Sequence, residues 1–140
     1  MTLQAARIEF TKCLGRLLAF GEANGFALMI DETKRAQAAA DWNANHCRIF
    51  VQGKRCERPM AIHGALDHAF KPIGSAKSVH LNGLAADIYI IEDGRISNDK
   101  GKYAILAGHW KALHGLARWG GDFEGFPDLG HFSFTWEGRS

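Results

Sequence analysis

Ser78-Val79-His80-Leu81-Asn82-Gly83-Leu84-Ala85-Ala86-Asp87 leads directly into Ile88-Tyr89-Ile90-Ile91, and this join decides how the chain is organised. Residues 88–91 form an apolar run of strand length, rich in β-branched and aromatic side chains. An Asp at the mouth of such a run is unusual, because strands are depleted in Asp and a buried carboxylate needs a partner. Gly83 permits a tight bend, which would let the His80 imidazole come back towards Asp87. Two readings follow. Either His80 and Asp87 converge as ligand types for zinc, or an exposed loop His precedes an edge-strand Asp paired with a Lys or Arg.

A second stretch, Phe126-Pro127-Asp128-Leu129-Gly130-His131-Phe132-Ser133-Phe134-Thr135-Trp136, bears on that choice. From His131 to Trp136 the residues alternate, with His131, Ser133 and Thr135 on one face and Phe132, Phe134 and Trp136 on the other. This pattern predicts a half-buried strand whose polar face begins with a His. Asp128 lies three residues earlier across a Gly-containing turn, close enough to share a site with His131. Together the stretches offer His80, Asp87 and His131 as three metal ligands and Asp128 as a further carboxylate. Catalytic zinc sites typically have three protein ligands and keep a coordination position for water.

S-x-H-x-x-G-x-A-x-D followed by a late [DE]-x-x-H resembles the zinc peptidases that include bacterial D-alanyl-D-alanine carboxypeptidases and dipeptidases. In size the chain is similar to the phage endolysins of that group, which cleave the L-alanyl-D-glutamate bond of peptidoglycan. Trp119-Gly120-Gly121-Asp122-Phe123 resembles the group's W-G-G-D-aromatic segment. The resemblance covers both metal motifs and roughly the C-terminal half. It implies a zinc peptidoglycan endopeptidase with zinc on His80, Asp87 and His131 and with Asp128 as general base. It also implies a guanidinium near the site, for the oxyanion or a substrate carboxylate. Arg35 matches by position and context, although its neighbours do not spell R-[TS]-x-x-x-Q, and it reads equally as a solvated Arg in a first helical turn. Ser78 would bind substrate or cap its own loop. Within the group the rival is a D-alanyl-D-alanine carboxypeptidase or dipeptidase, which must bind a free terminal carboxylate. Outside enzymes, the rivals are a non-catalytic zinc-containing wall-binding module, as in hedgehog-type relatives, and a structural protein that is never metallated. A carboxylate at position 128 argues against the binding module.

At 140 residues the chain is expected to form one domain, residues 1–140, acting as a monomer. A net charge of +2 is too small to argue for nucleic acid, though it would not hinder approach to an anionic cell wall. No apolar run approaches the ~20 residues of a membrane span. The start, Met1 to Arg7, lacks the basic-then-apolar pattern of a signal peptide. The expectation is therefore synthesis in a host cytoplasm and action on the wall after release through the membrane. Three Cys, an odd number without framework spacing, predict reduced thiols.

Leu3 to about Ala23 reads as an amphipathic helix with Leu3, Phe10, Leu14, Leu17 and Leu18 inward, Cys13 in the core, and Gly21 and Gly25 near its end. Phe26 to Ile30 reads as a strand, and residues 33–42 as a helix capped by Thr33. Cys47, Cys56, His63 and His68 fit no common zinc spacing and are read as non-ligands. Lys54 to Arg58 reads as a solvated loop, Ala61 to Phe70 as a short helix, and Glu92-Asp93-Gly94-Arg95 as a turn. Lys100 to Arg118 reads as a helix with Tyr103, Leu106, Trp110, Leu113 and Leu116-Ala117 inward and His109 and His114 beside that stripe. These elements predict an α+β fold, a small and mainly antiparallel sheet with helices packed against it, in agreement with the hedgehog and D,D-peptidase type of fold that the resemblance implies.

Overall fold

The computed structural model describes residues 1–32, 50–51, 54–55 and 79–140. Thr2 starts helix α1 (Leu3–Ala23) by accepting the Ala5 N–H on its hydroxyl at 3.1 Å. The buried stripe of α1 is Ala6, Phe10, Cys13, Leu17 and Gly21. It shares Phe10 and Leu17 with the stripe read from sequence, while Leu3, Leu14 and Leu18 flank it, partly buried. Small Gly21 marks where other elements approach closely. A Cβ on Gly21 would lie 3.4 Å from Leu106 and closer still to Leu28. Gly25, at φ +79°, turns the chain into β1 (Ala27–Glu32).

Residues 54–55, read as loop, instead pair as β3 (Lys54–Arg55) with β2 (Phe50–Val51) in a separate two-stranded ladder. The main sheet is organised on β4 (Ala85–Glu92), the longest strand. Antiparallel β1 flanks one side, with Met29 opposite Tyr89 and a register shift before Glu32 meets Asp87. On the other side β4 pairs at its start with β7 (His131–Phe134) and at its end with β5 (Arg95–Ile96). Asp93 and Gly94, both at positive φ, make the tight β4–β5 turn that their chemistry predicts. The sheet order is β1-β4-β7-β6, where β6 is Ala117–Trp119. Asp87 thus sits within the central strand, and the edge-strand alternative fails.

Helix α2 (Lys100–Leu113) is capped by Asp99, whose carboxylate accepts the Gly101 and Lys102 N–H groups. It ends five residues before the expected Arg118. His114 adopts extended backbone and its ring Nδ1 accepts the Leu116 N–H at 3.1 Å. With Gly115 following, the helix stops and Ala117 pairs with Phe134 as strand. Cross-strand pairing overrides the helical periodicity of Leu116-Ala117. Strand β7 likewise ends at Phe134, short of Trp136, which instead makes an isolated bridge to Arg139.

Alternation along β4 sends Ala86, Ile88 and Ile90 to the helices, with Phe132 and Phe134 beside them. There Phe10 makes edge contacts with Trp110 and Phe134, at ring distances of 5.6 and 5.3 Å. The opposite face carries Asp87 and Tyr89 from β4 and His131 and Ser133 from β7. All four β7 residues are buried, so that strand is covered on both faces rather than half-buried. His109 stacks on Phe20 and His114 on Phe134, as packing rather than ligand histidines. No helix among the described residues is long and apolar enough to cross a membrane. Arg35, Ser78, the 33–42 and 61–70 helices, Cys47, Cys56, His63 and His68 lie outside the described residues.

Candidate metal centre

Three side chains from two stretches of sequence meet on the face of the sheet away from the helices. His80 belongs to a 3₁₀ turn, Val79–Asn82, anchored by fully buried Val79. Leu84 N–H donates to the Val79 carbonyl at 3.1 Å, and Gly83 takes φ +68° to send the chain into β4. Arg7 of α1 fastens this turn by donating from Nε to the Asn82 carbonyl at 2.6 Å. Asp87 and His131 are register partners across β4 and β7, which sets their side chains side by side.

The donor atoms form a nearly equilateral triangle. His80 Nε2 lies 3.3 Å from His131 Nδ1 and 3.3 Å from Asp87 Oδ1, and His131 Nδ1 lies 3.5 Å from Asp87 Oδ1. Ligands at about 2.0–2.1 Å around a tetrahedral ion stand roughly 3.3 Å apart, which is the size of this triangle. One hydrogen bond, between His80 Nε2 and His131 Nδ1, does not account for the third corner, where both ring nitrogens face Asp87 Oδ1 at 3.3 and 3.5 Å without good hydrogen-bond geometry. Two imidazoles and a carboxylate are also the donor set of a catalytic zinc site. The residues present therefore fit zinc.

All three groups are buried, with His80 at 2% and Asp87 and His131 at 7% relative exposure, so an unneutralised carboxylate here would be costly. Burial pushes the Asp87 carboxyl up. The contacts with His131 and His80 outweigh burial and hold it well below the usual carboxylate range. Asp87 is thus an anion at neutral pH.

Asp128 stands exposed on the approach to His131. Its Oδ1 accepts the Gly130 N–H at 3.2 Å, an Asx turn that fixes the carboxylate, and its carbonyl accepts the His131 N–H at 3.3 Å. The Trp119-to-Phe123 segment explains why this loop keeps its place. Trp119 Nε1 donates to the Leu129 carbonyl at 2.8 Å, and the Gly120 carbonyl accepts the Asp128 N–H at 2.8 Å. A Cβ on Gly120 would lie 2.7 Å from the His131 Cβ, and one on Gly121 would run into the Trp119 ring. Lys111 pairs with Asp122 at 2.7 Å, and the Phe123 ring stands 5.5 Å from His131.

Sequence reading brought together His80, Asp87, His131 and Asp128. It passed over Tyr89, whose place two residues after Asp87 on the same strand face was readable from alternation. Burial, and then the charges of Asp87, Asp128 and Asp31, push the Tyr89 phenol up to about 12.

Residues 73–134, which hold all four of these site groups, match the model of a family described as D-alanyl-D-alanine carboxypeptidase. The resemblance read from the two motifs holds over that segment. No curated protein matches the chain. Among solved structures, it aligns with the Serratia marcescens L-Ala D-Glu endopeptidase ChiX at 22% identity and a TM-score of 0.48, over 79% of this chain and 68% of that one.

Proposed function

We propose that the chain is a zinc-dependent peptidase that hydrolyses a stem-peptide amide of peptidoglycan, the L-alanyl-D-glutamate bond, and serves as a phage endolysin. The observation that carries the reading is the His80, Asp87, His131 triangle with 3.3–3.5 Å edges, lying within the segment matched to a peptidase family. Zinc bound there supplies Lewis acidity, polarising the substrate carbonyl and lowering the pKa of a water towards ~7. Asp128, exposed and held by the Gly130 N–H, accepts the proton of the attacking water and returns it to the leaving amine. Asp reaches less far than Glu, so the reading needs the loop to hold it close, and the Trp119 and Gly120 hydrogen bonds that fix this loop support it. Arg35 is assigned to the oxyanion or a substrate carboxylate, and Ser78 to substrate.

The match to a family described as D-alanyl-D-alanine carboxypeptidase favours a second reading, removal of a terminal D-alanine. Digestion of purified peptidoglycan followed by mass spectrometry of the new termini separates them. New L-alanine carboxyl and D-glutamate amino termini support the endopeptidase, and free D-alanine supports the carboxypeptidase. Intact wall after incubation with fully zinc-loaded protein overturns both.

A further inference from the structure

Between β7 and β5 the edge of β4 has no neighbouring strand among the described residues. Ile88 N–H donates to the Gly130 carbonyl at 2.8 Å, and Ser97 N–H donates to the Ile90 carbonyl at 2.8 Å. In the gap, Ile90 N–H finds the Tyr103 hydroxyl of α2 at 3.0 Å instead of a strand. The break opens a cleft of about 310 Å³ whose walls include Tyr89, Ser97, Asn98, Pro127, Asp128 and Gly130.

This cleft adjoins the metal centre. Tyr89 follows Asp87 on the same strand face, roughly 6.6–6.8 Å along it. Its ring lies close against Gly130, where a Cβ would come within 2.9 Å of Cδ1, and Gly130 precedes His131. Asp128 belongs both to the cleft and to the proposed chemistry. An amide placed over Asp128 therefore puts one of its flanking groups in the cleft.

The chemistry of the walls decides which flank. They offer a phenol, a hydroxyl, a carboxamide and ring and aliphatic surface, with no Lys, Arg or His among the described lining residues. The one charge is the Asp128 carboxylate. A stem peptide is asymmetric about its L-alanyl-D-glutamate amide. On one side stand an N-acetylated amino sugar and an alanine, uncharged and rich in hydroxyl and acetamido groups. On the other side stand the carboxylates of the glutamyl and diamino-acid residues. Those carboxylates would meet Asp128 here, where no described lining residue is a Lys, Arg or His to offset the repulsion. Hydroxyl and acetamido groups suit a phenol, an amide and an aromatic face.

Resting on the peptidoglycan reading above, we infer that this cleft receives the uncharged, sugar-bearing side of the scissile bond, N-acetylmuramoyl-L-alanine, with Tyr89 as a positioning residue. The test titrates zinc-loaded protein with N-acetylmuramoyl-L-alanine amide, and separately with γ-D-glutamyl-diaminopimelate, following backbone amide resonances by NMR. The sugar fragment should shift Tyr89, Ser97, Asn98 and Gly130. Tyr89→Phe, which keeps the ring on Gly130, and Asn98→Ala at an exposed site should each weaken its binding roughly 3–10-fold, the worth of one hydrogen bond, with thermal stability unchanged. Absence of sugar-fragment binding, binding indifferent to both variants, or the charged fragment shifting these same residues would each overturn the assignment. Wall hydrolysis measured on the same samples separates the two claims. Hydrolysis without cleft binding refutes the cleft alone, whereas cleft binding without hydrolysis refutes the peptidase and leaves the cleft standing.

Discussion

Gly120→Ala adds one methyl group between two parts of the centre that must hold their spacing. The new Cβ would stand 2.7 Å from the His131 Cβ, where ordinary contact begins at 3.4 Å, so His131 must retreat by about 0.7 Å. The Asp128 carbonyl is nearer still, and the Asp128 Cβ at 3.1 Å also has to give. Neither neighbour is a free side-chain end, since one belongs to a loop backbone and the other to a buried strand. Overpacking of this kind costs about 1–3 kcal/mol, which in a domain of this size lowers Tm by roughly 3–12 °C. Metal sites tolerate ligand displacements of only about 0.2 Å, so zinc affinity should fall by ~10–100-fold, as when groups behind the ligands are altered. Misplacing Asp128 by a comparable distance should cost about 10²-fold in rate. A thermal melt reads the first effect, chelator competition the second and wall hydrolysis the third. Gly15→Ala is the contrast, because Gly15 lies inside α1 with nothing within 4 Å of its added Cβ. That change should stabilise by about 0.4–1 kcal/mol and leave zinc binding alone. Native zinc affinity and Tm in Gly120→Ala would refute the reasoning that this glycine is a spacer for His131 and Asp128.

Purified protein should bind one equivalent of zinc, and His131→Ala should remove most of it; metal analysis finding full occupancy in that variant would exclude His131 as a ligand. Asp128→Asn should lower wall hydrolysis by ~10²–10⁴-fold with zinc content and melting nearly unchanged, whereas loss of zinc would make Asp128 a ligand. In metal-free protein the depressed Asp87 carboxyl contributes stability that is whole above its unfolded value of about 3.9 and drains away as pH falls through its folded value. Denaturant titrations of native protein and Asp87→Asn should therefore differ at pH 5 and converge well below pH 4; a gap that widens on acidification would contradict that sign.

The sequence by itself determined the elements whose periodicity was undisturbed and the chemistry whose spacing was short. Residues 3–23 read as a helix because apolar groups recur at helical spacing, and 88–91 read as strand because the run is apolar and rich in β-branched and aromatic side chains. His80 and Asp87 link through the Gly83 bend and Asp128 to His131 across three residues, since both separations are short. Tertiary structure alone decided what depends on pairing between distant segments. Ala117–Trp119 became strand rather than helix because β7 offered it a ladder, a preference no local window contains. Asp87 became central rather than edge because β1 and β7 both pair with β4. The donor triangle exists because the β4–β7 register sets Asp87 opposite His131, and slipping it by one residue would turn His131 to the opposite face. The cleft beside Tyr89 exists because β7 and β5 leave part of the β4 edge uncovered, and α2 supplies a Tyr103 hydroxyl where a strand would otherwise continue.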